Sequence, residues 1–349
     1  MAQQAYVSET VGDGKGPKRP GSRLRRLAQR LFSGWRGDPR IWRRGIVLAV
    51  LALLLALVML LHSRIPNQVG NLGSLTETFL PWLGLIVPLL LLCALIRKSA
   101  TALLAILLPV IVWLNLFGGL LFDRTGTGGD LMVATHNVNA DNPDPSATAR
   151  AVASSGADVL ALEEIPNTAV PVYEKALAPT YRYHAVVGTV GLWSTYPMSD
   201  VHAVDIKLGW ERAMRATVAT PKGPIAVYVA HLPSVRVKMA AGFTARQRDK
   251  SADALGEAIA GESLKRVVLL GDLNGTMNDR SLNAVTSQMR STQGAAGSGF
   301  GFSWPASFPM ARIDQIMVKG VEPRSSWTLP RTGSDHLPVA ARVKLDTSS

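Results

Sequence analysis

One cysteine, Cys93, occurs in 349 residues. A disulfide framework is excluded, and so are zinc sites built from several thiolates. Any exported part of the chain must therefore be held by its own core. Aromatic residues make up 6% and charged residues 18%, against 47% hydrophobic residues and a mean hydropathy of +0.17. Those proportions exclude a disordered chain and do not suit a single soluble globule. No Walker A loop, GxSxG elbow or HExxH pair occurs. Nucleotide-triphosphate motors, acyl transfer and zincin chemistry are left without support.

The missing charge is concentrated. Residues 45–63, 78–96 and 99–122 carry no Asp, Glu, Lys or Arg over 19, 19 and 24 residues. At about 1.5 Å rise per residue, each run approaches the ~30 Å hydrocarbon thickness of a bilayer. Three transmembrane helices are predicted within 45–122. The net charge of +12 divides into +8 over 1–44, +2 over 45–122 and +2 over 123–349. The basic excess therefore marks membrane topology, and nucleic acid is not an expected partner. Arg23 to Arg44 precede the first span, and Arg97 and Lys98 sit between the second and third. Positive flanks stay in the cytoplasm, so 1–44 reads as a basic cytoplasmic tail and 123–349 as extracytoplasmic, with the chain multi-pass in the plasma membrane. No small-x-small cleavage site follows Leu61, and two further spans follow, which argues against a cleaved signal peptide. Asn115, the one strongly polar side chain well inside a span, reads as an interhelical hydrogen-bonding group.

Residues 123–130, with RTGTGGD at 124–130, read as a short flexible linker, and 131–345 as one catalytic domain. Strand patterns alternate with helical ones: Leu131–Val138, a helix over 146–156 with Ser146 as N-cap, and Asp158–Leu162. A hairpin over 213–231, a helix over 240–260 and strands at 266–270, 312–318 and 337–343 follow. The class is α/β with many antiparallel neighbours.

Polar residues fall at the ends of these apolar strands: Asn137 and Asn139, Glu163 and Glu164, His231, Asp272 and Asn274, Asp314, and Asp335 with His336. Singly, each is an ordinary turn or surface residue. Together they are side chains fixed by strand ends, able to converge on one rim. Carboxylates with amides suit a hard cation that keeps its waters, Mg²⁺ or Mn²⁺. Two histidines and a separate Asp can hold phosphoryl oxygens and move protons. Metal-assisted hydrolysis of a phosphate ester or anhydride is the chemistry that fits.

The pieces HNVN (136–139), DVLALEEI (158–165), WSTYPM (193–198), VAHLP (229–233), GDLN (271–274), RIDQI (312–316) and SDHLPV (334–339) resemble the endonuclease/exonuclease/phosphatase superfamily. The resemblance implies a sandwich of two β-sheets flanked by helices. It implies Glu164 as metal ligand with Asn137 beside it, and Asp272 activating water or protonating the leaving oxygen. Asn274 would orient Asp272 and hold phosphate, and His336 would contact phosphate with Asp314 as its partner. Asp335 would support the metal or His336, and His231 would stabilise the pentavalent phosphorus. Two departures stand out: Glu163 where family members often have Gln, and Asn139 where many nucleases have Asp. Alternation along the strand sets Glu163 apart from Glu164 and gives it a structural role.

Three spans ahead of such a domain resemble a membrane-bound subgroup that includes VanJ-type proteins of teicoplanin and vancomycin resistance. That resemblance implies a lipid-linked phosphate such as undecaprenyl pyrophosphate. A tethered extracellular nuclease or phosphodiesterase is the alternative, and an inactive lipid- or glycopeptide-binding scaffold a third. Arg236, Lys238, Arg246, Arg248 and Lys250 are interleaved with acids and read as a solvated helix face. Trp193, Tyr196, Trp304 and Phe308 line either a substrate cleft or the core. Phe300–Pro305 reads as a lid. The oligomeric state is left open.

Overall fold

A computed structural model describes residues 39–68, 70–234 and 242–345. The basic tail before residue 39, with Arg236 and Lys238, lies outside the described residues. Helix α1 (Ile46–Leu60) is followed by α2 (Leu72–Thr78), α3 (Ile86–Ile96) and α4 (Ala100–Phe117). Two helical segments are long and apolar enough to cross a membrane, Arg40–Leu60 and Ala100–Leu121. The run expected to form a single helix over 78–96 is more broken. A 3₁₀ turn at Leu80–Leu85 leads into α3, and the chain bends by 70° between α2 and this segment. Pro81 explains the break, since it opens the 3₁₀ turn and donates no backbone hydrogen bond. Small side chains let the helices approach: Ala52, Ala56, Ala94 and Ala102 are wholly buried among Met59, Leu90, Ile106 and Phe117. Ser99 caps α4 by accepting from Ala102 N, at 3.2 Å.

The remainder is a sandwich. Its first sheet runs β11-β12-β1-β2-β4-β3, from Glu322–Thr328, Val339–Lys344, Leu131–Asn137, Val159–Glu163, Val190–Ser194 and Tyr183–Val187. The second runs β5-β6-β7-β8-β10-β9, from Met198–Ala203, Ala213–Thr220, Gly223–Ala230, Val267–Asp272, Asp314–Lys319 and Arg290–Ser291. Among the strands of the described residues, β1 with β2 and β7 with β8 are the parallel pairs.

Alternation explains the layers. Val133, Val159, Ala161, Val227, Val229, Val268, Leu270 and Ile316 meet between the sheets. Their neighbours Ala134, Leu160 and Leu162 face α5 (Pro145–Ala153) and α6 (Val170–Leu177), and Tyr228 and Leu269 face α7 (Gly242–Ala260). The two-sheet α/β sandwich is the expected fold. The cap of α5 is Asp144, which accepts from Ala147 N at 2.8 Å, and Ser146 lies inside the helix. The segment expected as a flexible linker lies on the domain, with Arg124 N donating to Gly297 O, Gly126 N to Arg324 O and Asp130 N to Val343 O.

The apolar helices and the sandwich touch at one end of each. Trp82 Nε1 donates to Met310 O at 2.7 Å, Thr276 Oγ1 to Glu77 O at 3.2 Å and Arg248 Nη2 to Ser74 Oγ at 3.0 Å. At the opposite end of the helices, Arg97 Nε donates to Arg44 O and Thr101 Oγ1 to Trp42 O.

Candidate active site

The inner-face alternation that packs the core also builds the site. Two residues beyond Thr135, Val229, Leu270 and Ile316 along their strands come Asn137, His231, Asp272 and, toward the strand start, Asp314. Each inherits the direction of the core residue before it and points into the gap between the sheets. Asp314 and Asp272 stand directly opposite each other in the ladder, as do Asn137 and Glu163.

Hydrogen bonds fix these groups. Asp272 Oδ1 accepts from Asn274 N at 2.8 Å, and its Oδ2 from Asn137 Nδ2 at 3.0 Å and Asn274 Nδ2 at 3.2 Å. His336 Nδ1 lies 3.0 Å from Asp314 Oδ2, and Ser303 Oγ donates to the same oxygen at 2.6 Å. His336 Nε2 is 3.9 Å from Asp272 Oδ2. His231 Nε2 lies 3.3 Å from Glu164 Oε1 and 3.8 Å from Asp272 Oδ2, while the Arg212 guanidinium sits against the same imidazole. Glu164, Asn139 and Asn274 all adopt left-handed backbone conformations, with φ of 61°, 62° and 46°. Three such residues on one rim mark backbone held for geometry against its own preference.

The protonation states diverge. Burial pushes Asp272 up to about 7, against the opposing charge of His336. Burial alone would lower His336, but the Asp314 charge and hydrogen bond override it and raise the imidazole to about 10. Burial would raise Asp314, yet His336 and Ser303 hold it below the usual carboxylate range. His231 goes the other way: burial and then Arg212 keep it well below an ordinary imidazole, and so neutral. The site thus holds a cationic His336, a neutral His231 and an acid poised near neutrality.

One ligand atom each from Asp272, Asp314 and His336 lies within 4.8 Å of the others, close enough for one cation to bridge. Asp314, however, is already engaged by His336 and Ser303. Glu164 is the more open carboxylate, with 34% of its side chain exposed and a 3.4 Å contact from Ala140 N to Oε2. Asn137 Oδ1 accepts from Asn139 N at 3.0 Å and keeps a second lone pair. Glu164, Asp272 and Asn137 each offer an oxygen donor, the chemistry that fits a hard divalent cation.

Of the residues singled out in the sequence, Asn137, Glu164, His231, Asp272, Asn274, Asp314 and His336 come together. Asp335 does not join them by contact: its side chain is exposed and acts on His336 only through its charge. Glu163 faces inward beneath the site, where Thr135 Oγ1 donates to its Oε1 at 2.6 Å. Burial raises it well above the usual carboxylate range, and a protonated Glu has the neutral character of the Gln often found there. Asn139 Oδ1 accepts from Asp141 N, so this residue builds a turn.

Sequence reasoning missed Arg212, Ser303 and Ser334. Ser334 Oγ donates to Asn137 O at 2.7 Å and accepts from His336 N at 3.0 Å. The S in SDHLPV was a usable signal for it. Arg212 and Ser303 reach the site through loops and carry no local signature. The 300–305 segment is packed rather than free to close. Phe300 lies against Trp113 and Phe117, and Phe302 stacks on Trp82 with centroids 5.6 Å apart. Trp193 is core, whereas Phe308 is 64% exposed.

Comparison with known proteins agrees with this geometry. Residues 134–336 match the model of the Endonuclease/Exonuclease/phosphatase family. Similar solved structures include a mannosyl-6-phosphatase from Bacteroides thetaiotaomicron VPI-5482, at TM-score 0.51 and 18% identity over 61% of this chain and 99% of that one. A humanized D. rerio TDP2 gives TM-score 0.52 and 19% identity over 61% and 98%. Staphylococcus aureus beta toxin gives 0.51 and 14% over 61% and 99%. These likenesses establish the fold. No curated protein matches the sequence. With the family match spanning β1 to His336 and the strand-end carboxylates, amides and histidines converging as that family's motifs require, the chain belongs to the endonuclease/exonuclease/phosphatase family of phosphate-ester hydrolases.

Proposed function

We propose that this protein is a membrane-anchored, metal-dependent phosphohydrolase whose substrate is a phosphate or pyrophosphate carried by a membrane lipid. One observation carries the reading: the catalytic rim is the face that rests on the apolar helices. Thr276, two residues after Asn274, bonds Glu77, and Met310, four residues before Asp314, bonds Trp82. Trp210, stacked by Arg212 beside His231, and Phe308, two residues from Met310, are 53% and 64% exposed, and aromatic side chains suit a membrane–water interface. A site held against the headgroup layer meets lipid-borne phosphate at high effective concentration.

The middle helix completes a third crossing. Six residues of 3₁₀ and eleven of α-helix span about 28 Å at ~2.0 and ~1.5 Å per residue. The N-terminus is then cytoplasmic and the catalytic domain lies at the outer face of the plasma membrane. This architecture supports the VanJ-type membrane subgroup and undecaprenyl pyrophosphate as the first substrate to try, with glycopeptide resistance as a cellular consequence.

Asp272, with a pKa near neutrality, takes the proton of the attacking water, and Asn274 holds its carboxylate in place. Cationic His336, kept charged by Asp314, neutralises phosphoryl oxygens, and neutral His231 donates from another side. Glu164 and Asn137, beside Asp272, would hold Mg²⁺ or Mn²⁺, which when bound supplies charge neutralisation at the phosphate and lowers the pKa of bound water. Full-length protein in detergent with Mg²⁺ is expected to release phosphate from undecaprenyl pyrophosphate. Asp272→Ala should cut that rate by about 10²–10⁴-fold. No release by folded, metal-loaded protein removes this substrate, and cleavage of a phosphodiester lipid in the same assay moves the assignment there.

A further inference from the structure

Two cavities sit where the membrane helices meet the catalytic domain, and neither is lined by the catalytic cluster. The first, about 350 Å³, lies between the segment Pro81–Pro88 and Trp113 of α4, with Phe300 and Phe302 closing its end. Its walls are apolar. The second, about 330 Å³, shares Pro81, Phe300 and Phe302 with the first and is polar on its far side. Each is within the usual range for ligand sites, roughly 300–1,000 Å³.

The polar cavity has the marks of an anion site. It is lined by Arg124 and Arg312 and by no Asp or Glu. Arg312 Nε is a buried donor with no partner in the protein, while Gln315 Oε1 and Gln293 Oε1 are buried acceptors without one, which suit headgroup hydroxyls and not the phosphate. Unpaired buried polar atoms cost free energy unless something meets them. Asn115, expected to bond a neighbouring helix, lines this cavity instead. Apolar walls within the bilayer, leading to arginines at its surface, follow the polarity profile of one phospholipid molecule.

We propose that the paired cavities bind one anionic phospholipid, with an acyl chain in the apolar cavity and the phosphate beside Arg124 and Arg312. This site is separate from the catalytic centre. Its occupant braces the 300–303 segment, whose Ser303 holds Asp314, so the lipid is a positioning ligand and not the substrate. The inference rests on the membrane placement proposed above and not on the substrate.

Native mass spectrometry of detergent-purified full-length protein, titrated with phosphatidylglycerol or with diacylglycerol of the same chains, tests it. Binding of one phosphatidylglycerol, about tenfold tighter than diacylglycerol, is expected from the charged contacts. Arg124→Gln, at an exposed position, should weaken phosphatidylglycerol about tenfold and leave diacylglycerol unchanged. Leu114→Trp, which fills the apolar cavity from a lipid-facing position, should abolish both. Equal affinity for the two lipids, or wild-type binding by both variants, overturns the proposal. Because the bound lipid's mass is read directly, hydrolysis is seen separately, and a wrong substrate assignment leaves the result intact.

Discussion

At the residue scale, the site works by separating the charge states of groups a few ångströms apart. His336 stays protonated because Asp314 faces it, and this makes a sharp pH prediction. In the wild type the alkaline limb of kcat/KM should lie near 10. Asp314→Asn removes the largest raising partner while burial continues to lower the imidazole against the remaining charges of Asp272 and Asp335, so the limb should move to lower pH. Activity at pH 8 should drop by on the order of 10²–10⁴-fold. An unmoved alkaline limb in the variant's pH profile would show that His336 is not the group titrating. Glu163 gives the opposite kind of test. Its folded pKa is raised, so the folded state keeps a proton that the unfolded chain releases above about 4.5. Stability must therefore fall as pH rises above 4.5, by up to about 1.4 kcal/mol per unit. Glu163→Gln should remove that slope, matching the wild type at pH 5, exceeding it at pH 8 in denaturant unfolding, and keeping near-normal activity. Parallel stability curves for the two proteins would mean that Glu163 is ionised in the fold.

At the element scale, strand alternation made most of the site readable before any coordinates. Asn137, His231, Asp272 and Asp314 stand two residues along from core side chains, so the sequence pattern alone places them on the inner face. Residues beyond the strand ends were harder. Glu164 and Asn274 depend on left-handed turns, and Arg212 and Ser303 arrive on loops whose course is set by tertiary packing. The strands β3, β4, β5, β9 and β11 were missed because they are short or their apolar residues are interrupted by polar residues, Gly or Pro. Within 78–96 the 3₁₀ start follows from Pro81, which cannot donate a backbone hydrogen bond. Gly271 shows what a strand end demands. Its φ is 146°, and a Cβ there would lie 1.9 Å from Ala230 O, in the strand that delivers His231. Gly271→Ala must push β7 and β8 apart, at a cost of at least about 3 kcal/mol. Loss of soluble, cooperatively unfolding protein is expected, and a variant with wild-type Tm would show that the parallel pairing tolerates the shift.

At the scale of the whole molecule, the contacts at the two ends of the helices support the proposed three crossings. The sandwich touches Ser63, Ser74, Glu77 and Trp82, all between α1 and α3. The opposite end gathers Trp42, Arg44, Arg97 and Thr101. Each of the three helical segments therefore runs from one end to the other, although the middle one starts in a 3₁₀ turn. Two crossings would put the catalytic domain on the same side as Arg40, Arg43 and Arg44, whereas three put it opposite. In the proposed topology the basic end lies in the cytoplasm, as positive flanks prefer. In a Cys93→Ala background, Gln68→Cys and Thr195→Cys should react with a membrane-impermeant maleimide on intact cells, and Arg97→Cys only after lysis. Labelling of Arg97→Cys on intact cells, with Thr195→Cys protected, would turn the protein around and place its phosphohydrolase in the cytoplasm. Labelling of Gln68→Cys without Thr195→Cys would separate the rim from the helix ends it contacts, and the lipid-substrate reading would fall with that contact.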